Sequence, residues 1–229
     1  KKIAKETQAP LLFTGDDIEF SYRVESSRTA GCHTRICLTT PRSRFEHLPV
    51  PLLGEHQALN CGLALALLDE LKNQGMKIDD NAAIQGLAKV YLPGRMEMIH
   101  HDPRVLVDGA HNADSMRALM RAIGQHIPYD SMVMVFGCAG DKDIRGMMAE
   151  IATGADKVIF TQATNNPRAA KSKELAELYE EYTGRVGQIT ENLGDALRVA
   201  HSAVSREDLI CICGSFCLVG EAKFLMPTS

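Results

Sequence analysis

The rhythm of apolar and polar positions changes near residue 91. Beyond it, short apolar runs at 105–107, 132–136, 157–161, 186–189 and 209–213 alternate with stretches of helical period. Those stretches are 112–126, 143–153, 171–182, 192–204 and 215–225. Strands that alternate with helices of this length make βαβ units and a mainly parallel sheet. Right-handed crossovers then set helices on both faces. Residues 91–229 are therefore expected to form a complete α/β domain of Rossmann-like, doubly wound type.

Residues 1–90 have a different texture. Leu11, Leu12 and Phe13 read as a short strand ending at Thr14-Gly15-Asp16-Asp17, and 18–40 alternate loosely, as a hairpin does. The polar segment 42–51, with two prolines, reads as a loop. A long helix is expected over 55–73. Its apolar face is assigned to Ala58, Leu59, Leu63, Ala66, Leu67 and Leu71, with Gly75 as the stop. Asp79 can cap a second helix over 80–89. No closed parallel sheet is expected in this part.

Composition narrows the functional classes. The 229 residues are 45% hydrophobic and 24% charged, as in ordinary globular domains. A net charge of −4 argues against a dominant nucleic-acid-binding face, though not against a local anion site. No apolar run approaches the roughly 20 residues of a membrane helix, and no apolar signal core follows the charged N-terminus. The first residue is Lys1, so the chain is expected to begin inside a longer gene product. None of the seven cysteines forms a Cys-x-x-Cys pair, and no metal ligands are assigned within the chain. Cys138, Cys211 and Cys213 read as small core residues of a reducing, cytoplasmic protein, with a redox role or disulfide as the alternative.

In an open α/β sheet, ligands bind beyond the carboxyl ends of the strands. Four such ends carry polar or Gly-rich turns: Asp108-Gly109-Ala110-His111-Asn112, Gly137 to Asp143, Ala163 to Arg168, and Gly214-Ser215. Each has a plain structural alternative. Asp108 and Asn112 can be helix caps, and His111 a hydrogen-bonded structural imidazole. Asp141 and Asp143 can favour a helix start. Ser215 can be an N-cap, or Gly214-Ser215 can hold an anion on free backbone N–H groups. The dinucleotide Gly-x-Gly-x-x-Gly, the Gly-x-x-x-x-Gly-Lys-Ser/Thr phosphate loop and the Gly-x-Ser-x-Gly elbow are absent from the sequence.

The motifs fall in a recognisable order. His56-Gln57-Ala58-Leu59-Asn60 opens the long helix, and Leu92-Pro93-Gly94-Arg95-Met96-Glu97 and Asp108-Gly109-Ala110-His111-Asn112 follow. Gly140-Asp141-Lys142-Asp143 comes next, and Gly214-Ser215 with Leu218-Val219-Gly220-Glu221 closes the series. This order resembles the folylpolyglutamate and dihydrofolate synthases of the Mur ligase superfamily. The resemblance implies that residues 91–229 are the C-terminal glutamate ligase domain. Residues 1–90 would be the remnant of a central ATP-binding domain.

The activity implied is ATP-dependent ligation of L-glutamate to a folate through an acyl phosphate. The chain would act as a monomer on small molecules, without nucleic acid or membrane. The implied roles are specific. Asn60 reads the adenine edge, Arg95 reaches the nucleotide, and Asp108 lies near the ribose hydroxyls. His111 sits close to the reacting centre, and Ser215 holds the incoming glutamate carboxylate. His56 only shapes the helix entry. Mg²⁺ is implied as well, with its ligands upstream together with the phosphate loop, so the chain alone is expected to be inactive. A cell-wall amino-acid ligase and a non-catalytic nucleotide-binding module are the competing readings. Phe216-Cys217 departs from the more common Leu-Tyr, with no consequence expected beyond packing.

Overall fold

A computed structural model describes residues 1–27, 31–164 and 166–226. The chain divides into two compact units, Lys1–Tyr91 and Leu92–Ser229.

The first unit contains α1 (Lys2–Glu6), β1 (Glu19–Ser27), β2 (Gly31–Thr39), β3 (Arg44–Val50), α2 (Glu55–Asn73) and α3 (Asp80–Ala88). The strands form an antiparallel sheet in the order β1-β2-β3. Residues 28–30, between β1 and β2 and within the expected hairpin, lie outside the described residues. Alternation along β2 buries Thr34, Ile36 and Leu38, which pack with Phe45, Leu48 and Val50 against Ala58, Cys61, Leu65 and Ala66 of α2. Buried Asp69 of α2 accepts from Arg42 at 3.0 Å and from the Thr40 hydroxyl at 2.7 Å, tying the β2–β3 turn to the helix.

Three local expectations are corrected here. The proline-containing segment 42–51 is largely strand β3. It is an edge strand, where Pro49 gives up no necessary ladder bond. Leu11–Phe13 is not a strand, and only an isolated Thr14–Ile18 bridge follows it. The apolar core face of α2 is made of Ala58, Cys61, Leu65 and Ala66, mostly small residues, whereas Leu59, Leu63 and Leu67 are exposed. The helix is apolar on two sides. Periodicity alone favours the larger side chains, but a helix approaches a sheet closely through Ala and Cys.

The second unit is built from β4 (Glu97–His101), β5 (Arg104–Val107), α4 (Ala113–His126), β6 (Met132–Phe136), α5 (Ile144–Ile151) and β7 (Lys157–Phe160). It continues through α6 (Ser172–Thr183), β8 (Gln188–Ile189), α7 (Leu193–Ala203), β9 (Leu209–Cys213) and α8 (Phe216–Leu225). Its sheet has the order β4-β5-β9-β6-β7-β8, parallel except for the antiparallel β4–β5 hairpin. This is the expected doubly wound architecture. Strand β6 and strand β9 are fully buried, as the continuous apolar runs require. Helices α4, α5 and α6 pack in series, and α7 packs on α8. The hairpin strand β4 escapes the hydrophobic pattern because Glu97, His100 and His101 interrupt it and only Ile99 is buried. The run at 186–189 shrinks to the two-residue edge strand β8, with Val186 exposed.

Side-chain caps set the helix starts. Asn112, Asp143, Asn192 and Ser215 each accept an N–H from the first turn of α4, α5, α7 and α8, and Asp79 does so for α3. All seven cysteines are free thiols, and burial pushes Cys138 up to about 12.

Asp208 knots the turn before β9. It accepts from the Ser205 backbone at 2.6 Å, the Ser205 hydroxyl at 2.8 Å and the Ser131 backbone at 3.0 Å. The bonds from Ser205 hold its carboxyl below its ordinary value of 3.8. Its stabilising contribution is therefore complete above the unfolded-state value. It is lost as pH falls below 3.8 and through the lower folded value. Urea titrations of the wild type and Asp208→Asn across this acid range should converge as pH falls. A constant gap would contradict the assignment.

Candidate active site at the strand-order reversal

The sheet reverses direction at β9, which enters between β5 and β6 although it is made last. Its helix α8 joins the α7 layer, while β5 and β6 lead to α4 and α5 in the opposite layer. The crevice beyond the carboxyl ends of these strands is the expected ligand position in such a sheet. The backbone ladder continues into the turns that line it. Asp108 N–H donates to Ile212 O at 3.0 Å, Gly214 to Ala110 O at 2.9 Å, and Gly137 to Cys213 O at 3.2 Å. Gly214 has φ +106°, and a Cβ there would lie 2.6 Å from Gly137 O. Only glycine lets these two strand ends come so close.

Arg95 sits on a turn fixed from several sides. Asp108 accepts the Met96 N–H at 2.8 Å, and Glu97 accepts the Gly94 N–H at 2.6 Å. The Gly109 N–H closes on Gly94 O at 2.8 Å. Met96 has φ +45°, an uncommon conformation for a side chain of that size, and the bond to Asp108 helps to hold it there. Glu97 is itself held by Lys223 of α8, whose ammonium lies 2.6 and 2.9 Å from its two oxygens. Arg95 is half-buried, and its guanidinium lies 4.7 Å over the ring of Phe216. Among the described residues of its unit, it has no carboxylate partner.

Asp108 is 5% exposed, and its other oxygen accepts the Ala110 N–H at 2.8 Å. Both oxygens thus bond backbone, and the residue ties the Arg95 turn to the end of β5. His111 places Nδ1 2.8 Å from Gly109 O. A carbonyl only accepts, so Nδ1 carries the proton, and Nε2 of the neutral ring is left as an acceptor. The His111 ring is 6.3 Å from that of Phe216. Ser215 accepts the Leu218 N–H at 3.2 Å, which leaves its hydroxyl proton for another partner.

The structure thus gathers Arg95, Asp108, His111 and Ser215 around the β5 and β9 ends. Asn60 belongs to the first unit, exposed on α2, where its amide donates to Gln57 Oε1 at 3.2 Å. His56 lies in the first turn of the same helix. Asp143 caps α5 through the Gly146 N–H, and Asp141 pairs loosely with Arg168 at 3.9 Å. Asn165, which follows β7 in the sequence, lies outside the described residues. Sequence reasoning missed the parts played by Glu97, Lys223 and Phe216. The first lies in the Pro-Gly-Arg-Met-Glu motif. Lys223 signalled nothing locally, and Phe216 was legible only as a departure with a packing consequence, because their partners are distant in sequence.

Comparison with known proteins decides the family. Residues 94–216, just over half of the chain, match the family described as Mur ligase, glutamate ligase domain. The chain belongs to the Mur ligase family. A dihydrofolate synthase/folylpolyglutamate synthase of Mycobacterium tuberculosis is 36% identical over 164 residues, covering 70% of this chain and 33% of that protein. The M. tuberculosis folylpolyglutamate synthase complexed with ADP and AMPPCP superposes with a TM-score of 0.87 at 29% identity. That match covers 99% of this chain and 52% of the solved one. A bifunctional folylpolyglutamate synthase/dihydrofolate synthase with Mn, AMPPNP and L-glutamate bound gives a TM-score of 0.78 at 25% identity. Here the coverage is 98% of this chain and 49% of the other. The chain thus spans about half of these relatives' length or less. As a Mur ligase domain, the second unit has its turns at 94–97, 108–112 and 214–215 around one crevice.

Proposed function

We propose that this chain is part of an ATP-dependent ligase that joins L-glutamate to a folate. The observation that carries the proposal is the Arg95 guanidinium, which has no carboxylate partner among the described residues of its unit and which, like His111, lies near the Phe216 ring at the strand-order reversal. The matches to relatives solved with ADP, with AMPPNP and with L-glutamate support the same reading. ATP transfers its γ-phosphoryl group to the folate carboxylate, giving an acyl phosphate and ADP. The glutamate amine attacks the acyl carbon, and inorganic phosphate leaves through a tetrahedral intermediate.

In this scheme Arg95 offers a planar fork of donors to the nucleotide phosphates. Asp108 keeps the Arg95 turn in place and belongs near the ribose hydroxyls. Asn60 reads the adenine edge, since an amide donates and accepts side by side. His111 Nε2 accepts a proton near the reacting centre, and Ser215, at the start of α8, receives the glutamate carboxylate. No group of three His, Cys, Asp or Glu side chains among the described residues could hold a metal. The relative solved with Mn and AMPPNP supports a divalent cation accompanying the nucleotide, and Mg²⁺ is the ion the resemblance implies. The free thiols favour a reducing compartment, and we assign the protein to the cytoplasm as a monomer.

The test is glutamate incorporation by the full-length gene product. With ATP and labelled L-glutamate, a reduced folate or dihydropteroate should become glutamylated with release of ADP. Incorporation into a muramyl precursor alone, or none with any acceptor, would sink the proposal.

A further inference from the structure

We propose that Phe216 is a positioning residue for the nucleotide, its ring being the platform that holds the Arg95 guanidinium. This rests on the reading above, in which Arg95 serves a phosphate.

The backbone of the Arg95 turn is pinned at Gly94 and at Met96, which leaves the long side chain as the mobile part. The Phe216 ring lies under its guanidinium at 4.7 Å. A cation–π contact of this kind holds the charge without a hydrogen-bond acceptor, so it does not call on the N–H donors that phosphate oxygens need. A carboxylate partner would instead consume those donors and neutralise the charge.

Two loops make room for the ring. At Gly109 a Cβ would meet it at 2.4 Å, and at Gly94 one would meet it at 3.4 Å. Phe216 is the first residue of α8, directly after the Ser215 cap, so its backbone is as well fixed as the turn it faces. Yet the side chain is 46% exposed. The ring thus remains accessible, with the Arg95 guanidinium 4.7 Å from its centroid and the His111 ring 6.3 Å away. One side chain thus links the residue assigned to phosphate, the residue assigned to the reacting centre and the start of the helix assigned to glutamate.

The test compares Phe216→Leu, Phe216→Tyr, Arg95→Ala and the double variant Arg95→Ala/Phe216→Leu in the full-length ligase. The readouts are kcat, KM for ATP and Tm. Phe216→Leu keeps an apolar side chain but loses the π face. It should raise KM for ATP by about three- to tenfold, the range expected for a cation–π contact, with kcat within about twofold. Phe216→Tyr should behave as the wild type. In the Arg95→Ala background, Phe216→Leu should add nothing. If Arg95→Ala raises KM and Phe216→Leu does not, the platform is wrong and the nucleotide role of Arg95 stands. The platform also fails if Phe216→Leu acts equally with and without Arg95, or lowers Tm alone. If Arg95→Ala itself changes nothing, the underlying reading fails with it.

Discussion

If the chain is part of the proposed ligase, Arg95→Ala in the full-length protein is expected to lower kcat/KM for ATP by about 10- to 100-fold. Hydrogen bonds to charged groups contribute about 1.5–3 kcal/mol each, and about 1.4 kcal/mol corresponds to a factor of ten. The guanidinium has no carboxylate to leave behind among the described residues of its unit, so no buried charge is orphaned by its removal. Stability should therefore move by only about 0.5 kcal/mol, as for an ordinary surface substitution. Arg95→Lys keeps the charge but loses the planar fork and most of the stacking on Phe216, and should recover only part of the loss. Steady-state kinetics against ATP, with thermal unfolding in parallel, separates the cases. Unchanged kinetics removes Arg95 from the site, and a large fall in Tm makes it a structural residue.

The largest stability effect is expected at Gly214. An alanine there would carry a Cβ 2.6 Å from Gly137 O and 2.9 Å from Gly137 C, at φ +106°. The opposing atoms are backbone, and the Gly137 N–H is itself bonded to Cys213 O, so neither side yields by a rotamer change. Strained backbone of this kind costs about 1–3 kcal/mol, and forced overpacking adds about 1–3 more. A loss of about 3 kcal/mol or more is a large part of the roughly 5–15 kcal/mol that holds a domain together. Tm should fall by about 10 °C. Gly75→Ala is the control, because Gly75 has φ +94° and open space around it. If the two variants unfold at the same temperature, the close approach of the strand ends contributes nothing.

Most of the second unit was legible because its strands are buried on both faces. A parallel strand such as β6 or β9 reads as an unbroken apolar run, and caps such as Asn112, Asp143 and Asn192 mark the helices that follow. Edge strands were legible only in part. Strand β3 contains Pro49, and β4 contains two histidines and a glutamate, which an edge tolerates and a local pattern penalises. On α2, the choice between two apolar faces depends on the sheet beneath it, and the sequence of the helix contains no record of that.

The site was legible as motifs but not as contacts. Asp108, His111 and Ser215 stood out because they follow strands. That Asp108 would turn both oxygens to backbone depended on Met96 with its positive φ, on a turn 12 residues earlier. The pairing of Glu97 with Lys223 spans 126 residues. Phe216 gave no sign of its arginine, because the two elements meet only once the sheet has formed.

The central place of β9 has a consequence for how the second unit is made. Strands β5 and β6 are separated by the width of a strand that is synthesised some seventy residues after β6. Until residues 209–213 leave the ribosome, the two halves of the sheet each present a bare inner margin, and neither can close over the other's side chains. The unit therefore commits to its native form late and all at once, and a polypeptide stopped just short of β9 carries two sticky borders rather than most of a domain.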